Sequence, residues 1–149
     1  MGETTAFLSR NFPMVFSLEP SVLLYELARK RFLQNEKISL INKSSEDGFD
    51  DILKKISGTV NFWLDGHFSG LGTFKGNDVT PIELELSHIK KYQGNFKNIC
   101  IAVDDFRLFN FQRKESYPSP NVLVNFANEN GFTWTVERDI FIMRYNMYT

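Results

Sequence analysis

The chain has 149 residues, 42% of them hydrophobic and 23% charged, with a formal net charge of −1. That length fits one domain with its own core, and that composition is that of an ordinary folded protein rather than a disordered one. Lys and Arg number 17 against 18 Asp and Glu, so the basic excess that phosphate-backbone binding normally requires is absent, and no nucleic-acid partner is expected. Cys100 stands alone, which excludes a disulfide framework and a cysteine-based zinc site and fits a cytoplasmic location. Met1 to Phe12 lacks the basic-then-apolar order of a signal peptide, and no apolar stretch approaches the ~20 residues of a membrane span, so no membrane partner is expected either.

In chain order, Thr4 to Asn11 reads as a short helix and Met14 to Leu18 as a strand bounded by Pro13 and Pro20. Ser21 is placed to cap a helix over Val22 to Phe32, whose last turn carries Arg29, Lys30 and Arg31. Ile38 to Ile41 is a second strand. Asp50 to Ile56 reads as a short helix stopped by Gly58, and Val60 to Leu64 as a third strand. After the glycine-rich stretch from Asp65 to Thr80, the order Thr80-Pro81-Ile82-Glu83 is a helix start, and Ile82, Leu86 and Ile89 share one face. Ile99 to Val103 is an unbroken apolar run, the pattern of a strand buried on both faces. Ser119-Pro120 opens a last helix that ends near Gly131. Phe132 to Val136 and Asp139 to Arg144 close the chain as a hairpin around Glu137-Arg138.

This alternation predicts an α/β, Rossmann-like fold: a mostly parallel sheet with helices on both faces and a C-terminal antiparallel hairpin. In such sheets ligands bind beyond the C-terminal ends of the strands. The polar residues at those ends are therefore the candidate site. Glu19 follows the first strand. A carboxylate there either accepts both hydroxyls of a ribose or serves as a loop acid stabilised by a helix N-terminus. Asp65 ends the third strand and Asp104-Asp105 the fourth. On neighbouring strands they could share a cation such as Mg²⁺; the alternative is that the Asp pair caps a turn. His67 is either a general base or a hydrogen-bonded loop histidine. Arg107 either pairs with the nearby carboxylates or binds an anionic substrate. His88 is read as a surface residue and Trp63 as core. No GxSxG, P-loop or full GxGxxG motif occurs.

Met1-Gly-Glu-Thr-Thr5, Phe16-Ser-Leu-Glu-Pro20, Phe62-Trp-Leu-Asp-Gly-His-Phe-Ser-Gly70 and Val103-Asp-Asp-Phe-Arg-Leu-Phe109 occur in this order. Together they resemble bacterial class I methyltransferase-like proteins that use S-adenosylmethionine (SAM) and are often encoded near polysaccharide or natural-product genes. A more distant likeness is to the metal-dependent sugar O-methyltransferases of the macrocin type. The resemblance implies SAM as cofactor, with Gly2, Glu19, Ser44, Ser45, Asp47 and Asp65 around it. It implies Asp65, Asp104 and Asp105 as ligands of a Mg²⁺ ion, and His67 as the base, at a position where the macrocin-type pattern has Asp. The implied reaction is O-methylation of a sugar or small hydroxylated metabolite.

The family's sheet has a central first strand, ending in a glycine-rich loop, between the first and third strands read here. Residues 1–149 are therefore expected to form a single methyltransferase-like domain truncated at its N-terminus. The family's order leaves a gap of roughly 9–10 Å between two of its strands: either they close up, or apolar edges are exposed, or residues preceding Met1 belong to the protein. Two other readings stay open: a non-catalytic Rossmann-like remnant acting as a binding module, and a metal-dependent enzyme that uses no SAM.

Overall fold

A computed structural model describes residues 2–65, 80–109 and 117–148. Strands and helices alternate as the sequence predicts: α1 (Glu3–Asn11), β1 (Val15–Leu18), α2 (Val22–Arg31), β2 (Ile38–Ile41), α3 (Ser45–Leu53), β3 (Gly58–Leu64), α4 (Ile82–Tyr92), β4 (Phe96–Val103), α5 (Asn121–Glu129), β5 (Thr133–Glu137) and β6 (Ile140–Asn146). Ser21 caps α2 as expected, its hydroxyl accepting the Leu24 N–H. Helix α3 departs most from expectation. It begins at Ser45 rather than Asp50, because the Ser44 hydroxyl accepts the Asp47 N–H at 3.3 Å and starts the helix there. Gly48 sits inside α3. A Cβ at that position would come within 2.6 Å of the end of the Leu18 side chain, which would have to shift to admit it.

The strands form two sheets. β1 and β2 pair in parallel, from Val15 opposite Ile38 to Leu18 opposite Ile41. The second sheet has the order β3-β4-β6-β5. In it β3 and β4 are parallel, with Leu64 opposite Val103, and β6 runs antiparallel to both β4 and β5. The closing hairpin turns at Arg138 and Asp139 rather than Glu137-Arg138. Both turn residues have positive φ, 49° and 70°, the geometry of a two-residue turn that follows the strand twist.

One face of the four-stranded sheet carries the core. Phe62, Leu64, Ile99, Ile101, Val103, Phe141 and Met143 are buried against Phe49 and Leu53 of α3, Ile82, Leu86 and Ile89 of α4, and Leu123 and Ala127 of α5. Their apolar spacing at i, i+4 and i+7 gives α4 its buried stripe. On the two-stranded sheet, α1 and α2 are tied together by a Glu3–Arg31 ion pair of 2.6 Å and by Gly2 against the Phe32 ring. Among the described residues, β1 and β3 each have one strand partner only, so the two strands do not close up. No helix among the described residues is long and apolar enough to cross a membrane.

Candidate functional site

A groove of about 1460 Å³ lies between the two sheets. At one end of it the C-terminal ends of three strands meet. Glu19 follows β1, Ser44 and Ser45 follow β2, and Asp65 follows β3; all four line the groove. Leu64 and Val103 are register partners, so the two residues that follow them, Asp65 and Asp104, end adjacent strands. Together with Thr80, Glu85 and Tyr117 they line a small adjoining cleft.

Glu19 is held by the helix that follows it. Its Oε1 accepts the Ser21 N–H at 2.9 Å, and its carbonyl accepts the Asn42 side-chain amide at 2.8 Å. The carboxylate is therefore fixed at the groove mouth, and among the described residues Oε2 carries no hydrogen bond. Ser44 is buried and works for the fold: besides accepting the Asp47 N–H, its hydroxyl donates to the Asp47 carboxylate at 3.1 Å. Asp47 is thus engaged in starting α3. Gly2 lies in left-handed backbone, φ 70°, where it caps α1, and it is not among the residues lining the groove. His67 falls outside the described residues.

The three carboxylates implied as Mg²⁺ ligands do not converge. Asp104 Oδ1 accepts the Asp105 N–H at 2.9 Å, and Asp105, with φ 54°, caps the short 3-10 turn Phe106–Leu108. The Asp105 carboxylate pairs with Arg107 at 2.7 Å, and Arg107 also pairs with Asp139 in the hairpin turn. Among the described residues no group of three His, Cys, Asp or Glu side chains could hold a metal ion. A shared cation therefore has no support among the described residues, where the Asp pair makes local turn and ion-pair contacts and Arg107 pairs with the Asp105 and Asp139 carboxylates.

Glu85 is the site residue that the sequence analysis missed. It is 5% exposed, lines both cavities and stands beside Ser45. Burial raises its pKa from 4.5 to about 7, the Ser45 hydrogen bond pulls it back, and the nearby Glu46 charge raises it further. The signal was present in the helix pattern: Glu85 falls between Ile82 and Ile89 on the same stripe as Leu86, a charged residue on a buried face. Tyr117 lies in the adjoining cleft, and burial pushes its phenol up to about 12, helped by the charges of Asp105 and Asp65.

Two smaller expectations change. Trp63 is 37% exposed and lines the groove instead of packing into the core. His88 is half-buried rather than on the surface, with its ring 6.3 Å from that of Phe49.

No family model and no curated protein matches the chain. Solved structures do. A candidate rRNA methylase from Clostridium thermocellum matches with a TM-score of 0.61 at 15% identity, covering 97% of this chain and 82% of its own. A candidate methyltransferase from Streptococcus mutans, in complex with SAH, matches with a TM-score of 0.56 at 18% identity, covering 96% and 81%. Spodoptera frugiperda DNMT2 matches with a TM-score of 0.58 at 12% identity, over 97% of this chain and 46% of its own. No sugar O-methyltransferase stands among these three. The expectation of no nucleic-acid partner is corrected, since a protein named as an rRNA methylase shares the fold. Net charge is a sum over the whole surface and does not report a local acceptor site. The alternating strands and helices, the parallel pairs and the closing antiparallel hairpin together make this chain a Rossmann-like α/β fold of the methyltransferase kind.

Proposed function

We propose that residues 1–149 act as one SAM-dependent methyltransferase domain. The observation that carries this is the carboxylate of Glu19, held by the Ser21 N–H at the point where three strand ends open into one groove. Beyond the strand ends is where open α/β sheets take nucleotide-like ligands, and a strand-end acid with an open oxygen suits a ribose diol. The SAH-bound neighbour of the same fold supports the same cofactor class.

The residues present fit SAM. Glu19 would take the ribose, the first turn of α3 at Ser45 would border the adenine, and Asp65 would border the amino-acid end. When bound, SAM supplies a methyl group on a positively charged sulfur, which is strongly electrophilic. The chain's own contribution is positioning: it holds the acceptor in line with that methyl and excludes water from the groove. Removal of the acceptor proton falls either to His67, implied by the sequence resemblance, or to Glu85, whose pKa of about 7 suits proton transfer near neutrality. Mg²⁺ has no part in this reading, because the described carboxylates do not fit it.

Calorimetry with SAM and SAH tests the cofactor. The expected result is binding at one site per chain, weakened at least about tenfold by Glu19→Ala through loss of two charge-assisted hydrogen bonds. No heat and no thermal shift with either compound on the folded chain would sink the proposal. Transfer of labelled methyl to total RNA or to a panel of sugars and hydroxylated metabolites then separates the acceptor classes. RNA follows the named rRNA methylase, and a sugar hydroxyl follows the sequence resemblance.

A further inference from the structure

Glu85 occupies a position that the fold alone would give to an apolar residue. It shares the buried stripe of α4 with Ile82, Leu86 and Ile89, and it is 5% exposed. From α3 it meets the Ser45 hydroxyl and the charge of Glu46. Among the described residues, no Lys, Arg or His lines either the groove or the adjoining cleft, and Glu85 borders both. An acid buried without a cation is a cost that a core built only for stability avoids, and such groups gather where a protein binds or reacts.

The cleft has a definite size and sign. Its volume is about 10 Å³, room for one group the size of a water molecule. Asp65 at the end of β3, Asp104 at the end of β4 and Glu85 on α4 supply its acidic side chains, and Val103 and Phe109 line it too. Arg107, the cation of the Asp104 loop, is turned to Asp105 and Asp139 instead. Tyr117 reports the sign of the space: burial, and then the negative charges of Asp105 and Asp65, push its phenol up to about 12 against the pull of Arg107. Apolar walls lower the local dielectric, so these charges act strongly on whatever enters. Leu64, Asp65 and Glu85 line the cleft and the groove alike, so an occupant of the cleft borders the space assigned to SAM.

We infer that this cleft takes the amino head of the methyl acceptor, and that the acceptor is a primary alkyl amine. Such an amine, like the Lys side chain, is protonated at neutral pH. Its head is water-sized, carries only N–H donors, and brings a cation to Glu85 and Asp104. A phosphate is too large for the space and has the wrong sign, and a hydroxyl fits the space but brings no charge. The fate of the amine rests on the methyl-transfer reading above; its binding does not. For transfer, the ammonium gives one proton to the Glu85 carboxylate. The nitrogen lone pair so freed forms the bond to the methyl carbon, the carbon–sulfur bonding pair stays on sulfur, and the product is a methylammonium ion. Glu85 then loses its proton to solvent.

The test uses the full chain and begins without SAM. The probe is n-butylammonium chloride near neutral pH, with n-butanol and sodium butyrate as controls of equal length, each titrated while backbone amide NMR shifts are followed. The amine should bind at least about tenfold tighter than either control and move the amides of Glu85, Asp65 and Asp104. Glu85→Gln and Asp104→Asn, shown to be folded by circular dichroism, should each weaken the amine at least about fivefold and leave n-butanol unchanged. Equal binding of amine and alcohol would overturn the inference. So would Mg²⁺ displacing the amine from the same amides, which would assign the cleft to a metal. With SAM added, labelled methyl should pass to n-butylamine and glucosamine and not to glucose or total RNA; the reverse order would overturn the acceptor class. Amine binding by a chain that binds no SAM would uphold the amine site and sink the methyl-transfer reading alone.

Discussion

Ser45, in the first turn of α3, stands beside the buried carboxyl of Glu85 on α4. This contact joins the helix that follows β2 to the helix that precedes β4, and it places a titratable group at the mouth of the groove. Burial dominates that group's ionisation, with a folded pKa of about 7 against 4.5 unfolded.

The sign of the resulting pH dependence is fixed by that difference. Folded Glu85 keeps its proton where the unfolded chain has lost it, so its contribution is fully favourable below pH ~4.5 and is lost as pH rises to about 7. At ~1.4 kcal/mol per pKa unit, ionising it in place costs about 3 kcal/mol. Glu85→Gln keeps the shape and the Ser45 partner without the charge. Denaturant melts should show it more stable than wild type by about 2–3 kcal/mol at pH 8 and equal within about 1 kcal/mol at pH 4.5. A variant destabilised equally at both pH values would contradict the buried-charge account.

Ser44 is expected to matter to the fold rather than to the ligand. Ser44→Ala removes the cap of α3 and should lower stability by about 1 kcal/mol, with SAM affinity unchanged within about twofold once folding is corrected for. A large loss of SAM affinity with no loss of stability would return Ser44 to the cofactor.

The hairpin turn offers a stabilising change. Arg138 has φ 49°, a conformation that costs a residue with a Cβ roughly 1 kcal/mol and that Asn tolerates better. Arg138→Asn should raise stability by about 0.5–1 kcal/mol in thermal or chemical melts. Asp139 is better left alone, since its carboxylate accepts the Arg107 N–H at 2.7 Å and its carbonyl accepts the Phe106 N–H.

Arg107 bridges Asp105 and Asp139, with its own side chain 64% exposed. Solvent and salt screen such a pair, so Arg107→Ala should lower the melting temperature only slightly, and less at about 0.5 M salt than at low salt. A large loss of stability, independent of salt, would show that the guanidinium is doing more than pairing charges.

The elements were largely legible in the sequence, because periodicity, prolines and caps act locally. The four residues Ile38 to Ile41 form β2 as read, and the Ser21 cap and the C-terminal hairpin are where the pattern puts them. Helix α3 was placed too late because the Ser44 cap that starts it at Ser45 was not read as one. The candidate site divides along the same line. Glu19 and Asp65 were found because strand ends can be read from the chain. Glu85 was passed over because it lies mid-helix, and the sequence left Asp104 and Asp105 open between a shared cation and a turn with Arg107 beside it, a choice that depends on where their side chains lie.

From composition and motif order alone the chain was an α/β protein with acidic strand ends, too balanced in charge to advertise a partner. Only the tertiary structure decided which of those acids face one space, which are spent on caps and ion pairs, and that among the described residues β1 and β3 each have a single strand partner. The reason is physical: a strand declares its apolar faces in its own sequence, but whether its backbone edge is satisfied depends on what lies beside it.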